Sequence, residues 1–523
     1  MNDPSSINDE QVVYINSTVF NNFYEFIFSI PGSHMVLNYI KTSYHHDPFR
    51  IVLELFLVFF ALKYMFSKKY KPHDNAVKLT RKEVDDLIEE WQPEPLVPKL
   101  NSFDRLNLEK TPQIIGAQSA KPKVAGHSKP MMNLATSNHL NLVASETIRQ
   151  KSIETLKNYG VGSCGPPGFY GTLDVHMDLE RNIASFLGTE EAIIYAQGFS
   201  TISSVIPAFS KRGDLLVVDE GISFATQKGV QISRSNVRWF KHNDMEDLER
   251  VLEDIRSDDL IHNKRLTRRF IVTEGLSAND GDIAPLDRLI ELKKKFKYRL
   301  ILDESQSIGV IGKRGAGLTD LFNIPAIDVD MIIGSMASVL ASSGGFCAGS
   351  HEIVDHQRLS GSAYCFSASI PAMLAVSASE ALSIIGQQPA LLMELNERSR
   401  TFRQTLLHKT LEPFIDLHVG DLDAPAPFFH IRIKPSFLRS RLQSHEKEIS
   451  REDEERLLQD VVDECGSQGV LLTRAKYVYD QERNCPRPSI KICVTTGLSK
   501  KENDKASGIV KSAIIKVFTK WRK

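Results

Sequence analysis

Three stretches of the chain hold residues whose types and spacing suit chemistry. The first, Asn158-Tyr-Gly-Val-Gly-Ser-Cys-Gly-Pro-Pro-Gly-Phe-Tyr-Gly-Thr172, places five glycines within twelve residues around Cys164. Its literal G-x-G-x-x-G (Gly160, Gly162, Gly165) fails as a dinucleotide site, because a helical stretch (about 145–157) precedes it in place of a strand and Pro166-Pro167 blocks a helix after it. Such a loop is an irregular backbone able to approach a ligand or another chain closely, and a structural turn accounts for the composition equally well. The second stretch, Ile301-Leu-Asp-Glu-Ser-Gln-Ser-Ile-Gly309, ends an apolar run on Asp303. A carboxylate there suits the protonated pyridine nitrogen of a cofactor, although taken alone it reads first as a cap for the following loop. The third, Met331–Ser350, is an apolar strand, a run of small residues that includes Ser338, and Gly344-Gly345 opening a second strand. A serine cannot form a Schiff base.

The elements that position these residues follow from hydrophobic patterning. Short β-rich runs at 191–196, 214–220, 237–242, 269–275, 298–304, 329–335 and 344–349 alternate with amphipathic stretches such as 244–256 and 285–296. Strand and helix alternating in this way predict an α/β fold with a mostly parallel central sheet covered on both faces. Ligands of such sheets bind at the carboxyl ends of the strands, where Asp303 and Ser338 fall. After a helical region at about 370–412, the remainder reads as a smaller α+β unit: strand 427–433, charged helix 451–465, strand 489–494 and a closing amphipathic helix.

Composition bounds the remaining possibilities. The chain has 523 residues, 42% hydrophobic and 25% charged, with a net charge of −1, so it supports a sizeable core and gives no electrostatic reason to expect nucleic acid. Six cysteines lack C-x-x-C or zinc-type spacing and read as reduced thiols in a cytosolic body. His351 with His356, and His45 with His46, lack supporting ligands and read as surface residues, so no metal centre is expected.

The N-terminal region is distinct. Residues 49–66 form the most apolar run and predict a transmembrane helix, with Glu54 and Lys63 tolerated near its ends. An interfacial helix is the alternative. Lys63, Lys68, Lys69 and Lys71 place the C-terminal body in the cytosol and the first 48 residues in the lumen, where Asn16 lies in a glycosylation sequon. A short helix at 79–91 with Thr80 as N-cap leads into the proline strap Trp91–Pro98, and residues 99–130 read as a linker or surface loop. The expected organisation is 1–48 lumenal, 49–66 spanning, 67–130 juxtamembrane helix, strap and linker, 131–412 large domain, and 413–523 small domain.

The 331–350 segment resembles the cofactor-lysine segment of the α-oxoamine synthases, pyridoxal 5′-phosphate (PLP) enzymes of fold type I. Laid on the family's Gly-Thr-Phe-(Thr/Ser)-Lys-Ser motif, Gly334 and the Gly344-Gly345 pair put Ser338 at the lysine position. Nearly the whole chain from residue 49 onward is similar to the lysine-less subunits of eukaryotic serine palmitoyltransferases. The resemblance rests on Glu89-Glu-Trp-Gln-Pro-Glu-Pro-Leu-Val-Pro98, the glycine-rich loop, Asp174-Val-His176, Phe240-Lys-His-Asn-Asp-Met245, Arg268-Arg-Phe-Ile-Val272, Asp355-His-Gln-Arg-Leu-Ser-Gly361 and Tyr364-Cys-Phe-Ser-Ala-Ser369.

This resemblance implies a pocket that has lost its lysine (Ser338), its ring-stacking histidine (Ser223) and the histidine after the strand-end acid (Gln306), and that keeps Asp303 as a vestige. It implies a heterodimer with a lysine-bearing second subunit that binds PLP covalently, with Ser367 and Ala368 reaching the phosphate of the partner's PLP and Cys164 bordering the partner's site. The implied reaction condenses L-serine with palmitoyl-CoA to 3-oxosphinganine, the first step of sphingolipid biosynthesis, at the endoplasmic-reticulum membrane, with small activating and regulatory subunits attached. This chain alone is then inactive. The alternatives are a scaffolding or regulatory pseudoenzyme with no group in the site, and an autonomous PLP enzyme recruiting another lysine such as Lys313.

Overall fold

The computed structural model describes residues 29, 31–46, 48–67, 79–97, 99–417, 426–439 and 449–522. Asn16, Lys68, Lys69, Lys71 and the side chains of His45 and His46 lie outside the described residues. The chain divides into two units, Met1–Lys99 and Leu100–Lys523.

In the first unit, the run expected at 49–66 is one helix, Pro48–Phe66. Its apolar side chains face outward along its length, Phe49 at 86% and Phe59 at 66% exposure among them. Arg50 pairs with Glu54 at 2.9 Å and Lys63 lies in the last turn, so three charges interrupt the apolar surface. Among the described residues no helix is long and apolar enough to cross a membrane, which corrects the expected transmembrane helix to an exposed apolar one. The helix Arg81–Glu90 starts at Thr80 as expected, through a capping box in which Thr80 and Glu83 satisfy each other's backbone N–H groups.

The second unit is built on a seven-stranded sheet in the order Glu191–Tyr195, Gly345–Gly349, Met331–Ser335, Arg299–Asp303, Arg269–Glu274, Leu215–Asp219, Asn236–Phe240. The last five of these run parallel, and Gly345–Gly349 is antiparallel to both of its neighbours. Leu216, Val217, Val218, Ile271, Val272, Leu300, Ile301 and Leu302 are fully buried, as strands covered on both faces require. At roughly 25 cal/mol per Å² of apolar area removed from water, this double burial is the main term holding the sheet. A four-stranded sheet, Ile415–Leu417, Phe428–Ile433, Ile490–Cys493 and Thr473–Arg474 in that order, forms the C-terminal α+β part with helices Arg451–Ser467 and Lys500–Arg522. It docks on the large sheet's loop 278–280, where His430 Nε2 lies 3.1 Å from the Ala278 carbonyl and Arg432 donates to that of Asn279 at 2.8 Å.

Part of the expected linker is ordered. Ser102–Glu109 is a helix with an Asn101–Asp104 capping box and a buried Phe103, and Ile114–Ile115 pairs with Lys123–Val124. One buried aromatic ring anchors a helix too short and polar to show a hydrophobic period.

The Gly344-Gly345 pair has a direct steric cause. Gly344 has φ +89°, and a Cβ there would lie 2.4 Å from the Tyr195 carbonyl oxygen; one at Gly345 would lie 2.4 Å from Thr201 Oγ1. We expect Gly344→Ala to destabilise the protein by about 2–4 kcal/mol, read as a lowered urea midpoint with unchanged m-value. An unchanged midpoint would contradict this packing.

Candidate functional site

Three neighbouring parallel strands end on acids at the carboxyl edge of the sheet: Asp219, Glu274 and Asp303. Glu274 and Asp303 are register partners, and both are buried. Thr226 Oγ1 lies between them, 3.4 Å from Glu274 Oε1 and 3.3 Å from Asp303 Oδ2. Asp303 also accepts from Ser305 N–H at 2.9 Å, and Glu274 from Ser223 N–H at 2.7 Å and Ala278 N–H at 3.0 Å. Glu304, fully buried, accepts from Leu318 N–H at 2.9 Å and from the Ser307 hydroxyl.

Among the described residues no cation pairs with these three groups. Burial, then the adjacent Asp303 charge, raises Glu274 to about 7; burial also raises Asp303, against hydrogen bonds from Ser305 and Thr226, and raises Glu304 to about 7. As register partners, Glu274 and Asp303 titrate as a coupled pair, with burial raising both.

Asp219 belongs to a different network. Its carboxylate accepts from Gly221 N–H (2.6 Å) and Asn243 N–H (3.0 Å), and His242 Nδ1 lies 2.7 Å from it, with His242 Nε2 3.0 Å from Asp282. Burial opposes charge on His242, but the two carboxylates outweigh it and raise the imidazole to about 11, so both ring nitrogens donate. A Cβ on Gly221 would fall 2.3 Å from His242 Nδ1, which fixes glycine beside this ring.

Ser338 is half-buried in the loop after Met331–Ser335, on the same edge as Asp303; Ser223 caps the helix Phe224–Ser233, and Gln306 is half-buried in the turn after Asp303. No lysine occurs between Lys313 and Lys409, and Lys313 is exposed in a turn. The groups at this edge therefore do not fit a covalently held PLP: they offer buried acids and hydroxyls, and no amine in the loop that would have to supply one.

Cys164, Ser367 and Ala368 are gathered elsewhere. Ser369 N–H donates to the Gly165 carbonyl at 2.9 Å, and Ser163 Oγ donates to the Ser369 carbonyl, 206 residues away in sequence, at 2.8 Å. Gly171 lies so close that a Cβ there would meet Gly165 O at 1.9 Å and Ser369 Oγ at 2.8 Å. The two segments thus form one surface on which Cys164 (φ +56°) and Ala368 are exposed and Ser367 is half-buried. Phe169, Tyr170 and Phe366 stand out from it at 70%, 94% and 88% exposure, a density of bare aromatic rings that marks a contact surface. Beneath lies a cavity of about 250 Å³ lined by Thr172, His176, Met177, Tyr195, Tyr364 and Ile370, with Arg358 bonded to Glu180 (3.1 Å) and to Tyr364 (2.9 Å). None of the hydrogen bonds among the described residues joins this surface to Asp303 or Ser338.

The sequence reading missed Glu274, Thr226 and His242. The available signal was that Glu274, like Asp303, closes a parallel strand. The exposed His351 lies 2.8 Å from Glu191, and His356 lies 3.0 Å from the Ala208 carbonyl.

The acid pair makes stability depend on pH. Because folding raises Glu274 from about 4.5 to about 7, the stability tied to its protonated form is full below the unfolded value and is lost as pH rises through about 7. Glu274→Gln should flatten this decline by ~1–3 kcal/mol, seen as a weaker fall in unfolding midpoint across that window. An identical slope would show that Glu274 is ionised in the folded protein at low pH.

Comparison with known proteins places this architecture. The family model "Aminotransferase class I and II" matches residues 129–509. The chain is 42% identical over 449 residues to "Serine palmitoyltransferase 1" of Dictyostelium discoideum, covering 86% of this chain and 90% of that protein. It is 36% identical over 518 residues to the Saccharomyces cerevisiae protein of the same name (93% and 92%), and 43% identical over 394 residues to rice "Long chain base biosynthesis protein 1b" (75% and 78%). In fold it matches the Sphingomonas wittichii serine palmitoyltransferase structure with a TM-score of 0.66 at 20% identity, over 80% of this chain and 98% of that one. A PLP-bound S. paucimobilis serine palmitoyltransferase matches at 0.66 and 19% identity, over 79% and 98%. With its mixed central sheet and this level of identity, the chain belongs to the serine palmitoyltransferase 1/long chain base biosynthesis protein 1 group of the class I and II aminotransferase family.

Proposed function

We infer that this chain is the PLP-free half of a heteromeric serine palmitoyltransferase, pairing with a lysine-bearing homologous subunit to condense L-serine with palmitoyl-CoA. The observation that carries this reading is the division of its residues. The carboxyl edge holds buried acids and lacks a loop lysine, while Cys164, Ser367 and Ala368 sit on an outward surface among exposed aromatic rings. A chain that used its own edge would need the amine; a chain that completes a partner's site needs the surface.

In this role Ser367 offers a hydroxyl and Ala368 a backbone N–H to the phosphate of the partner's PLP, and both are preorganised by the Gly165–Ser369 and Ser163–Ser369 bonds. PLP, when bound by the partner, supplies the electron sink for the serine α-carbon. This chain's part is to orient the cofactor's phosphate, close the site from one side with the glycine-rich loop, and exclude water with Phe169, Tyr170 and Phe366. The exposed apolar helix Pro48–Phe66 serves as membrane attachment, at the endoplasmic reticulum with the folded body in the cytosol, which keeps the complex near an amphiphilic acyl donor and product. Small membrane subunits attach to the complex in the same reading.

Substitutions on the surface test it. In the assembled complex, Ser367→Ala should weaken PLP retention about tenfold, the loss of one hydrogen bond to a charged group. Cys164→Phe adds bulk to an exposed side chain, so it should leave assembly intact and lower kcat/KM at least about tenfold. If both complexes assemble and turn over like the wild type, the chain contributes no group to the site and acts as a scaffold.

A further inference from the structure

The opposite edge of the sheet carries a second feature. The turns leading into four of the five parallel strands bring cations to the amino-terminal edge: Lys211 and Arg212 before Leu215–Asp219, Arg234 before Asn236–Phe240, Arg265 before Arg269–Glu274, and Lys297 with Arg299 at the start of Arg299–Asp303; the turn into Met331–Ser335 carries Asp328 and Asp330, paired with Lys294 and Lys293. These four strands are adjacent in the sheet, so the six cations line one continuous edge. All six are exposed, and none makes an ion pair among the described residues.

The acids nearby are already matched. Asp214 pairs with Arg268 at 2.9 Å, Asp259 with Arg269 at 2.6 Å, and Asp258 with Lys264. Glu352, on the rim of the hollow formed with Arg268, Lys297 and Arg299, accepts from Ser350 Oγ at 2.7 Å and is the one carboxylate there that faces these cations without a cationic partner. The edge is thus net cationic on a chain whose overall charge is −1.

Aliphatic side chains stand among the cations. Leu260 and Ile261 end the helix Met245–Ile261 at 76% exposure each, Leu266 follows at 92%, and Ile232 beside Arg234 is 56% exposed. An acidic soluble polypeptide would satisfy the cations and leave Leu266 against water. A leaflet of anionic phospholipid satisfies both, with phosphates on the cations and acyl chains around the leucine and isoleucines.

We propose that this amino-terminal sheet edge, centred on segment 260–268, docks on the surface of an anionic phospholipid membrane. It is a second membrane contact, separate from the Pro48–Phe66 helix, and it does not depend on the reading of the catalytic role. Contacts of this kind are set by surface potential and fade with ionic strength.

Hydrogen–deuterium exchange of the full chain tests this. Vesicles of phosphatidylcholine containing phosphatidylserine should protect segment 260–268, vesicles of phosphatidylcholine alone should not, and high salt should abolish the protection. The triple variant Arg265→Glu/Lys297→Glu/Arg299→Glu should lower the preference for anionic over zwitterionic vesicles by at least about tenfold. Leu266→Asp, at a fully solvated position, should do so in part, and it keeps the test decisive if the triple variant fails to fold. Equal protection by both vesicles, no protection by either, or protection by soluble polyglutamate but not by vesicles would overturn the proposal.

Discussion

A carboxyl group in a dry sheet edge cannot stay ionised without a counter-charge, and here two such groups occupy the same register of neighbouring strands. Among the described residues, Glu274 and Asp303 have hydroxyl and backbone N–H donors around them and no cation, so burial raises both carboxyls. Everything at this edge adapts to that constraint. Thr226 bridges the acids, the Ser223 N–H reaches back to Glu274, and the loop after Met331–Ser335 carries Ser338 and no lysine.

The other surface is organised by a different physical device, the close approach of two backbones. Gly165, Gly171 and Ser369 come together at distances that forbid a Cβ, and this contact joins segments far apart in the chain. Its result faces outward: Cys164 is held in a left-handed conformation, Ser367 and Ala368 directly precede the hydrogen-bonded Ser369, and the exposed rings of Phe169, Tyr170 and Phe366 stand around them. In the proposed role, the inward edge is free to lose its chemistry because the partner carries it, while the outward surface is fixed because another chain's site depends on it.

Much of this was legible in the sequence, for identifiable reasons. Parallel strands buried on both faces are near-continuous apolar runs, so their number, bounds and carboxyl-edge acid Asp303 could be read directly. The glycine pair at 344–345 and Gly171 of the glycine-rich loop were visible because a Cβ at these positions would collide with neighbouring atoms. Glu274 and Thr226 were not, since their partnership exists only through strand register and a helix start many residues away. His242 stood in the sequence only as part of the Phe240–Met245 segment, because the carboxylates that hold it, Asp219 and Asp282, are 23 and 40 residues away. The Ser102–Glu109 helix escaped because one buried Phe103 leaves no period, and the apolar run at 49–66 was read as spanning because Glu54 and Lys63 were tolerated near its ends and Arg50 was not counted with them.

The central claim is that this chain completes a site whose cofactor is held by another. Its most direct test is the absorbance spectrum and the serine/palmitoyl-CoA condensation activity of the purified chain, measured alone and after addition of the lysine-bearing homologue. The account predicts no PLP absorbance and no turnover from the chain alone, with both appearing in the mixture and exceeding what the homologue shows by itself. A PLP band and turnover from this chain alone would contradict it, and would require an amine outside the Ser338 loop.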